Sequence, residues 1–446
     1  MSDTQSAINN NWEPVIGLEV HVELNTKTKM FCRCSADYFG AKPNTHTCPV
    51  CLGLPGALPF INEEAIEKCM KIGLALGCTI AEKSLFERKN YFYPDLPKGY
   101  QISQYRWPLC VNGQIEVEGK NGKRTIRINR AHQEEDTGKL SHRGNETFID
   151  FNRSGLPLVE IVTEADFMDS QEIRDYGKKL QQIIRSIGVS EADLEKGNMR
   201  LEANISVRPK GQKKLPNYRV ELKNINSFKF VADATDIEIK RQTAILESGG
   251  TISLQTRGYN EDKRETFLQR QKEEANDYRY FPEPDLPQLI PDRSLVQKLE
   301  NEIENFHPEK RIKHLAETYS ISPEVAKILF SQGMGEYFQE AAKLAEKSNI
   351  PAIAIANYIA NKKVDTSSTS PQMLIQKLQY QTSDTTSLKD LEAAVIGVIS
   401  ENEKIAGDYK SGNVNAIQVL VGLVMKKTQG KADPKKTREL LEKQLS

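Results

Sequence analysis

The chain has 446 residues, with 61 Lys plus Arg against 61 Asp plus Glu. That length exceeds one typical core and points to roughly two to four domains, while the balanced charge excludes any argument for nucleic-acid, membrane or acidic-ligand binding over the whole surface, so such a patch must be local. No apolar run approaches the roughly 20 residues of a membrane span, and the leading MSDTQSAINNNWEP carries neither a signal-peptide apolar stretch nor an Arg-rich transit pattern; the chain reads as soluble and cytoplasmic, with no membrane partner.

Residues 1–13 form a loose lead, and the first strand is VIGLEVHVEL, residues 15–24. Side chains alternate faces along a strand, so Ile16, Leu18, Val20, Val22 and Leu24 share one side, and Glu19, His21 and Glu23 the other. Alone, this is equally an ordinary half-buried strand. A Gly- and Pro-rich loop follows, carrying Cys32-x-Cys34 and Cys48-x-x-Cys51, four of seven cysteines. Without a secretion signal, such pairs favour metal over disulfides. Cys69, Cys78 and Cys110 are read as core thiols. Asn62 is placed to cap a helix striped by Ile66, Cys69, Met70 and Leu74.

Residues 89–105, KNYFYPDLPKGYQISQY, are dense in rings and prolines and carry Lys89, Asp95 and Lys98. They read either as a loop pinned over the core by its rings or as part of a site. Strand grammar returns at Lys123: Ile126 and Ile128 alternate with Arg127 and Asn129, and His132 then stands beside Glu134, Glu135 and Asp136. Ile149 and Phe151 alternate with Asp150 and Asn152, and Glu160 and Glu164 share a face opposite Val159 and Ile161. Asp169 and Glu172 sit at capping-box spacing before a helix striped by Ile173, Tyr176, Leu180, Ile183 and Ile187, with Gly188 to end it. Residues 199–208 alternate throughout, with Arg200, Glu202, Asn204, Ser206 and Arg208 on one face; Arg219, Glu221 and Lys223 repeat the pattern.

At least five strands thus place apolar residues on one side and acids, bases, His and Asn on the other. The expectation is an α+β fold: an N-terminal domain whose antiparallel sheet packs on helices with one face and floors a polar cleft with the other, suited to a divalent cation and phosphate oxygens. A helix is expected near 232–248. Residues 277–291 read as a strap closing the first domain, 1–292. From 293 the pattern turns helical, giving an all-α domain at 293–375, a Ser/Thr-rich linker zone at 364–386 and a small helical tail domain at 376–446. In the tail Ser387 and Asp390 form a capping-box start, Val414 opens a helical stripe with Ile417, Val421 and Val424 that ends near Gly430, and Asp433-Pro434 opens the last helix. Lys426, Lys427, Lys431, Lys435 and Lys436 make the one strong basic cluster, either a site for nucleic-acid phosphates or a solvated helix end. No P-loop, dinucleotide fingerprint or nucleophile elbow occurs, so any ATP must be bound by another scaffold.

Gly17-Leu18-Glu19-Val20-His21, Lys89-Asn90-Tyr91-Phe92-Tyr93-Pro94-Asp95, Gln101-Ile102-Ser103-Gln104, His132-x-Glu134-Glu135-Asp136-x-Gly138-Lys139 and Asp277-Tyr278-Arg279-Tyr280-Phe281-Pro282-Glu283-Pro284-Asp285 occur in this order. With them the chain closely resembles the GatB/GatE family, the B subunits of the tRNA-dependent aspartyl/glutamyl amidotransferase GatCAB, from Val15 through a YqeY-like tail ending LVGLVMKKTQGKADP. The resemblance implies an ATP-dependent ligase subunit acting on misacylated tRNA. ATP phosphorylates the side-chain carboxylate of Glu on tRNA(Gln) and/or Asp on tRNA(Asn), and ammonia displaces the phosphate. The ammonia comes from glutamine hydrolysed by the amidase subunit GatA, in a heterotrimer with small GatC. By the family's pattern His21, one of Glu134/Glu135 with Glu135 favoured, and Glu160 hold magnesium (Mg2+), with Glu19 beside them and Glu202 and Asn204 on the same floor. Lys89, Tyr91, Asp95 and Lys98 suit the ammonia channel's mouth or the aminoacyl end of the tRNA. Cys32, Cys34, Cys48 and Cys51 look like the family's zinc (Zn2+) site, structural because four thiolates leave no open position, although Cys-x-Cys is tighter than usual zinc spacing. The tail lysines would contact tRNA. Two rivals are a non-catalytic tRNA-binding scaffold and a stand-alone ligase using free ammonia.

Overall fold

The computed structural model describes residues 11–271, 277–306, 308–348, 350–362, 364–366, 368–383, 388–411, 413, 415–428 and 432–445. The chain divides into two compact units, Met1–Arg311 and Ile312–Ser446.

In the first unit the strands are β1 Trp12–Glu23, β2 Thr79–Ile80, β3 Glu87–Asn90, β4 Tyr100–Ser103, β5 Cys110–Gly119, β6 Gly122–Glu135, β7 Lys139–Arg143, β8 Glu146–Asp150, β9 Pro157–Thr163, β10 Met199–Pro209, β11 Val220–Leu222, β12 Gln255–Asn260, β13 Glu265–Gln271 and β14 Phe281–Pro282. Its helices are α1 Glu63–Ala75, α2 Ser170–Ser186, α3 Phe228–Glu247 and α4 Arg293–Phe306. Among the described residues the main sheet has nine strands in the order β13-β12-β11-β10-β1-β9-β6-β5-β2. The opening strand is therefore central, flanked antiparallel by β10 and β9. A wholly antiparallel sheet was expected, but β11 and β12 run parallel. Parallel neighbours need a long crossover, and α3 supplies it, starting at Phe228 rather than 232.

The apolar face of the sheet packs on α1, α2 and α3. Ile16, Leu18, Val20, Val22, Ile161, Leu201 and Ile205 share one core with Ile173, Tyr176, Leu180 and Ile239. The helix starts follow from their caps. Asn62 Oδ1 accepts from Ala65 N at 3.2 Å, and Asp169 Oδ1 accepts from Gln171 N at 2.8 Å and Glu172 N at 3.0 Å. Glu172 reaches back to Met168 N at 2.6 Å, one residue beyond the capping-box target, and also takes Arg124 Nε at 2.7 Å. Gly188 ends the helix at φ +69. Gly177 of α2 lies against the Phe228 ring, where a Cβ would stand 2.5 Å from it; only glycine lets α2 and α3 approach this closely.

A three-stranded sheet β14-β3-β4, packed against β6 through β4, ties the strap to the loop at 89–105, and β7-β8 is a separate hairpin. The strap is fixed where Glu283, 3% exposed, receives Arg88 Nε and a second guanidinium nitrogen, both at 2.7 Å.

Helical character begins at Arg293 as expected, but α4 packs on α1 within the first unit, with Lys71 Nζ 2.8 Å from Glu302. The expected boundary at 292/293 thus precedes a helix that belongs to the first core. The second unit builds one core from Leu315, Leu329, Phe338, Ile355, Leu374 and Leu378. Another is formed by Leu391, Val395, Ile417, Leu420 and Leu441. The expected boundary at 375/376 falls inside a helix, Pro371–Ser383, whose Leu374 and Leu378 share the same core. No helix among the described residues is long and apolar enough to cross a membrane.

Candidate functional site

Strand register brings the polar side chains together. His21 lies opposite Glu160 of β9 and Arg200 of β10, and Glu19 lies opposite Glu202. His132 of β6 also pairs with Glu160, and Gly17 with Asn204. Neighbours on one face sit about 4.5–5.5 Å apart at Cβ, so four strands, β1, β6, β9 and β10, converge on one floor.

One irregularity makes this possible. Ile126 and Ile128 belong to the apolar core. Strict alternation carried past Asn129 would send His132 and Glu134 into that core as well. Instead β6 bulges between Ile128 and Arg130 against β9. The matching residue of β5, Asn112, takes a left-handed conformation at φ +57. The extra residue reverses the parity: Ala131 joins the core while Arg130, His132 and Glu134 line the cleft.

At the floor His21 Nε2 stands 3.9 Å from Glu19, 3.7 Å from Glu134 and 4.0 Å from Glu160. His132 Nε2 is 3.6 Å from Glu134 and 3.3 Å from Glu160. The ligand atoms of Glu19, His21 and Glu160 lie within 4.8 Å of one another, as do those of His132, Glu134 and Glu160, so either set could hold a metal. Ser103 Oγ donates to Glu134 at 2.6 Å and Gln101 Nε2 at 3.3 Å. Glu202 receives Lys223 Nζ at 2.7 Å. Asn204 lines the cleft with Oδ1 buried and without a partner among the described residues.

The electrostatics follow from burial and neighbours. Burial, then Glu160, raises the Glu19 carboxyl above its ordinary value. Burial opposes the charges of His132, Glu160 and Lys89, yet each stays charged because its partners outweigh burial. Glu160 and Glu134 push His132 up to about 8. His132 and His21 hold Glu160 well below the carboxylate range. Glu134 and other neighbours keep Lys89 above the usual lysine value. The cleft above this floor measures about 1070 Å³ and is walled by Lys89, Tyr105, Arg130 and Tyr278–Tyr280.

Glu135, the favoured ligand, is not in this cluster; Glu134 is. Successive residues of a strand face opposite ways, so Glu135 turns to the other side, where it takes Lys98 Nζ at 2.6 Å and Ile102 N at 2.9 Å. There Lys98 and Glu135 line a separate cavity of about 250 Å³, with Phe31, Cys32, Cys51 and Gly155. The quartet Lys89, Tyr91, Asp95 and Lys98 is accordingly divided. Lys89 belongs to the cleft, over the rings of Tyr91 at 5.9 Å and Tyr278 at 5.2 Å. Asp95 buries Oδ1 without a partner among the described residues, and its carbonyl accepts from Gly138 N at 2.9 Å.

The sulfurs of Cys32, Cys34, Cys48 and Cys51 lie within 4.8 Å of one another, and four thiolates so placed could hold a metal. Lys29, fully buried, donates to the carbonyls of His46 at 2.8 Å and Phe151 at 3.3 Å, with Nζ 3.8 Å from Cys51 Sγ. The Cys51 thiol is lowered to about 5 by the Cys32 thiol, with Lys29 assisting against burial. Cys69, Cys78 and Cys110 are buried core thiols. In the tail Lys427 pairs with Glu401 at 2.6 Å, and Asp433 Oδ1 caps the last helix through Lys435 N and Lys436 N at 2.8 and 3.1 Å. Lys426 sits in the last turn of its helix. Ser387, Val414, Gly430 and Lys431 lie outside the described residues.

Sequence reasoning assigned no role to Ser103, Gln101, Arg130 or Lys29. The signal for the first two was present: they stand two apart on one short strand and so share a face. Lys29, in a Lys- and Thr-rich stretch, looks like a surface residue until the loop closes over it.

Residues 14–297 match the GatB/GatE catalytic domain family, and residues 310–445 match the GatB domain family. The B subunit of the aspartyl/glutamyl-tRNA(Asn/Gln) amidotransferase of Carboxydothermus hydrogenoformans is 41% identical, over 98% of this chain and 99% of that protein. The proteins of the same name from Caldanaerobacter subterraneus subsp. tengcongensis and Persephonella marina are 42% and 40% identical, over 98% and 97% of this chain and 99% of each relative.

Proposed function

The chain belongs to the GatB/GatE family, and from that premise we propose that it is the subunit of a tRNA-dependent amidotransferase that activates and amidates the aminoacyl group. In this reading ATP is the phosphoryl donor and the acceptor is the side-chain carboxylate of Glu on tRNA(Gln) and/or Asp on tRNA(Asn). Transfer gives an acyl phosphate and ADP; ammonia then attacks the acyl carbon and phosphate leaves. The observation that carries it is the convergence of His21, Glu134 and Glu160 from three strands beside the charged Lys89 in one large cleft. A carboxylate is a poor electrophile and the donor is polyanionic, so the reaction needs cationic groups placed before it begins.

The donor set fits magnesium: carboxylate oxygens with one or two imidazoles, near enough to share an ion. Glu19, His21 and Glu160, or His132, Glu134 and Glu160, would hold it, and when bound it would offset charge on the transferring phosphoryl group. Ser103 and Gln101 keep the Glu134 carboxylate in place. Lys89 and Arg130, the latter 3.9 Å from Glu160, meet substrate oxygens. Glu202 and Lys223 form the floor's far edge. The cavity bounded by Lys98 and Glu135 receives ammonia from a glutamine-hydrolysing partner, GatA in the family's terms, with GatC as third subunit. The four cysteines take a structural zinc, which pins the loop that walls this cavity. The tail lysines contact tRNA.

The test is ATP-dependent conversion of Glu-tRNA(Gln) and of Asp-tRNA(Asn) by the reconstituted complex carrying Glu134→Gln or Glu160→Gln. Loss of both conversions is expected. Near wild-type rates would leave the chain a tRNA-binding scaffold, and activity of the isolated chain with ammonium alone would make it a stand-alone ligase.

A further inference from the structure

The loop that carries the cysteine pairs closes over one residue that the chemistry of the cleft leaves unused. Lys29 follows β1 and is 0% exposed, and lysine is almost never buried so fully unless its charge is answered. Its ammonium has three N–H donors and directs them at the His46 carbonyl at 2.8 Å, the Phe151 carbonyl at 3.3 Å and Cys51 Sγ at 3.8 Å. Its backbone N–H donates to the Cys34 carbonyl at 3.0 Å. One residue thus touches both cysteine pairs, Cys32-x-Cys34 through its backbone and Cys48-x-x-Cys51 through its side chain.

Two of these acceptors are neutral carbonyls. Taking an ammonium out of water is costly unless an anion lies beside it, and no carboxylate pairs with Lys29 among the described residues. The sulfur of Cys51 is what remains. That sulfur also accepts from Cys48 N at 3.2 Å. A thiol sulfur is a weak acceptor, whereas an ionised one takes charge-assisted donors readily. Four thiolates around one dication leave an excess of negative charge, and Cys32 and Cys51 hold their share of it in the interior. The buried cation and the buried cluster therefore answer each other.

We propose that Lys29 is a positioning residue of the cysteine site, the buried cation that offsets the excess charge of four metal-bound thiolates and fixes Cys51 through a charge-assisted hydrogen bond. This rests on the reading of the four cysteines as a zinc site. Groups that hydrogen-bond to metal ligands orient them and set how firmly the metal is kept. The effect reaches the neighbouring cavity. A Cβ added at Gly155 would stand 3.5 Å from Cys51 Cβ, 3.7 Å from Lys29 Cδ and 3.8 Å from Glu135 Oε2. Cys51, Glu135 and Gly155 all line that cavity, so the lysine stem meets its wall at a residue with no side chain.

The experiment compares the full chain, purified without chelator, with Lys29→Gln and Lys29→Met. Zinc transfer to pyridylazoresorcinol is followed by colour, and both variants are expected to release zinc about 10–100-fold faster than wild type, the cost of removing a partner from a metal ligand. After exchange of zinc for cobalt(II), the sulfur-to-cobalt charge-transfer band should move to lower energy in both variants, because a thiolate that has lost its ammonium gives up electron density more readily. The visible bands should keep the intensity of tetrahedral coordination. A lysine that only packs the loop would leave the charge-transfer band in place. Glutamine keeps N–H donors but carries no charge, so a glutamine variant equal to wild type in both readouts would overturn the proposal. A measurement on the unaltered protein decides the matter should the variants not fold: Lys29 should resist acetylation by acetic anhydride while zinc is bound and become acetylated once zinc is withdrawn, as read by peptide mass spectrometry, since the ammonium then loses its anion. Protection that outlasts the metal would overturn the proposal too. Wild-type protein that holds no zinc would remove the zinc reading and the proposal with it, whereas zinc held equally by all three proteins would remove the role of Lys29 alone.

Discussion

Glu134 and Glu135 are consecutive on one strand, yet their carboxylates serve different compartments: Glu134 accepts from Ser103 Oγ at 2.6 Å inside the cleft, and Glu135 accepts from Lys98 Nζ at 2.6 Å in the neighbouring cavity. The two should separate kinetically. Glu134→Gln is expected to lower conversion by about 10²–10³-fold with either glutamine or ammonium as nitrogen donor, the scale seen when a preorganised electrostatic group is lost. Glu135→Gln should lower glutamine-dependent conversion by at least about tenfold and recover with saturating ammonium. Both rates are read from the same charged-tRNA assay, and equal losses with both donors for Glu135→Gln would remove the cavity from the ammonia route.

The parity switch on β6 lies beside Asn112 of β5, whose φ of +57 suits asparagine and glycine but not a β-branched side chain. Asn112→Gly should leave the urea midpoint nearly unchanged. Asn112→Val should cost about 1–2 kcal/mol and lower activity as well, because the bulge is what turns His132 and Glu134 out of the core. A valine variant with wild-type stability would show that the neighbouring strands, rather than this residue, set the bulge.

These contrasts explain how much could be read from the chain. The central strand was legible because Ile16, Leu18, Val20 and Val22 repeat at period two, and the caps at Asn62 and Asp169 because their chemistry is local. The choice between Glu134 and Glu135 was not, since it depends on a one-residue bulge that alternation cannot reveal. The parallel pairing of β11 and β12 was hidden for a similar reason: crossover direction is a tertiary property. Lys29 was missed because its burial depends on Phe151, far along the chain, and the boundary before 293 because helical pattern says nothing of which core α4 joins.

Four sulfurs within 4.8 Å of one another repel once ionised unless a cation neutralises them, so the loop at 31–60 should depend on metal. Purified without chelator, the protein is expected to hold about one zinc per chain by elemental analysis. Cys51→Ser should lower stability by about 3–5 kcal/mol, the upper range for single substitutions, and zinc content should fall with it. A wild-type melting temperature in metal-free protein would overturn the structural role.

Arg88 and Glu283 hold the strap by two hydrogen bonds of 2.7 Å, with the carboxylate almost fully buried. Removing one partner strands the other charge away from water, so Arg88→Met should cost about 3–5 kcal/mol. Arg88→Met with Glu283→Leu should recover most of that loss. The double-mutant cycle is measured by urea unfolding of the first transition, and purely additive losses would show that the strap is held elsewhere.

Lys427 is paired with Glu401 and Arg438 with Glu442, but Lys435 and Lys436 stand at the start of the last helix, where Asp433 engages their backbone N–H groups. Lysines at a helix N-terminus oppose the helix dipole, so their placement costs the fold a little and invites a phosphate. Lys435→Glu with Lys436→Glu should therefore leave stability equal or slightly higher, because the new carboxylates suit the dipole, while KM for charged tRNA rises. For every phosphate that the tail no longer neutralises, the dependence of log KM on log salt should flatten by about 0.7–0.9. Glutaminase activity of the assembled complex should not change. A KM and salt slope equal to wild type in the doubly reversed protein would mean that the cluster is a solvated helix end and that tRNA is held by other surfaces.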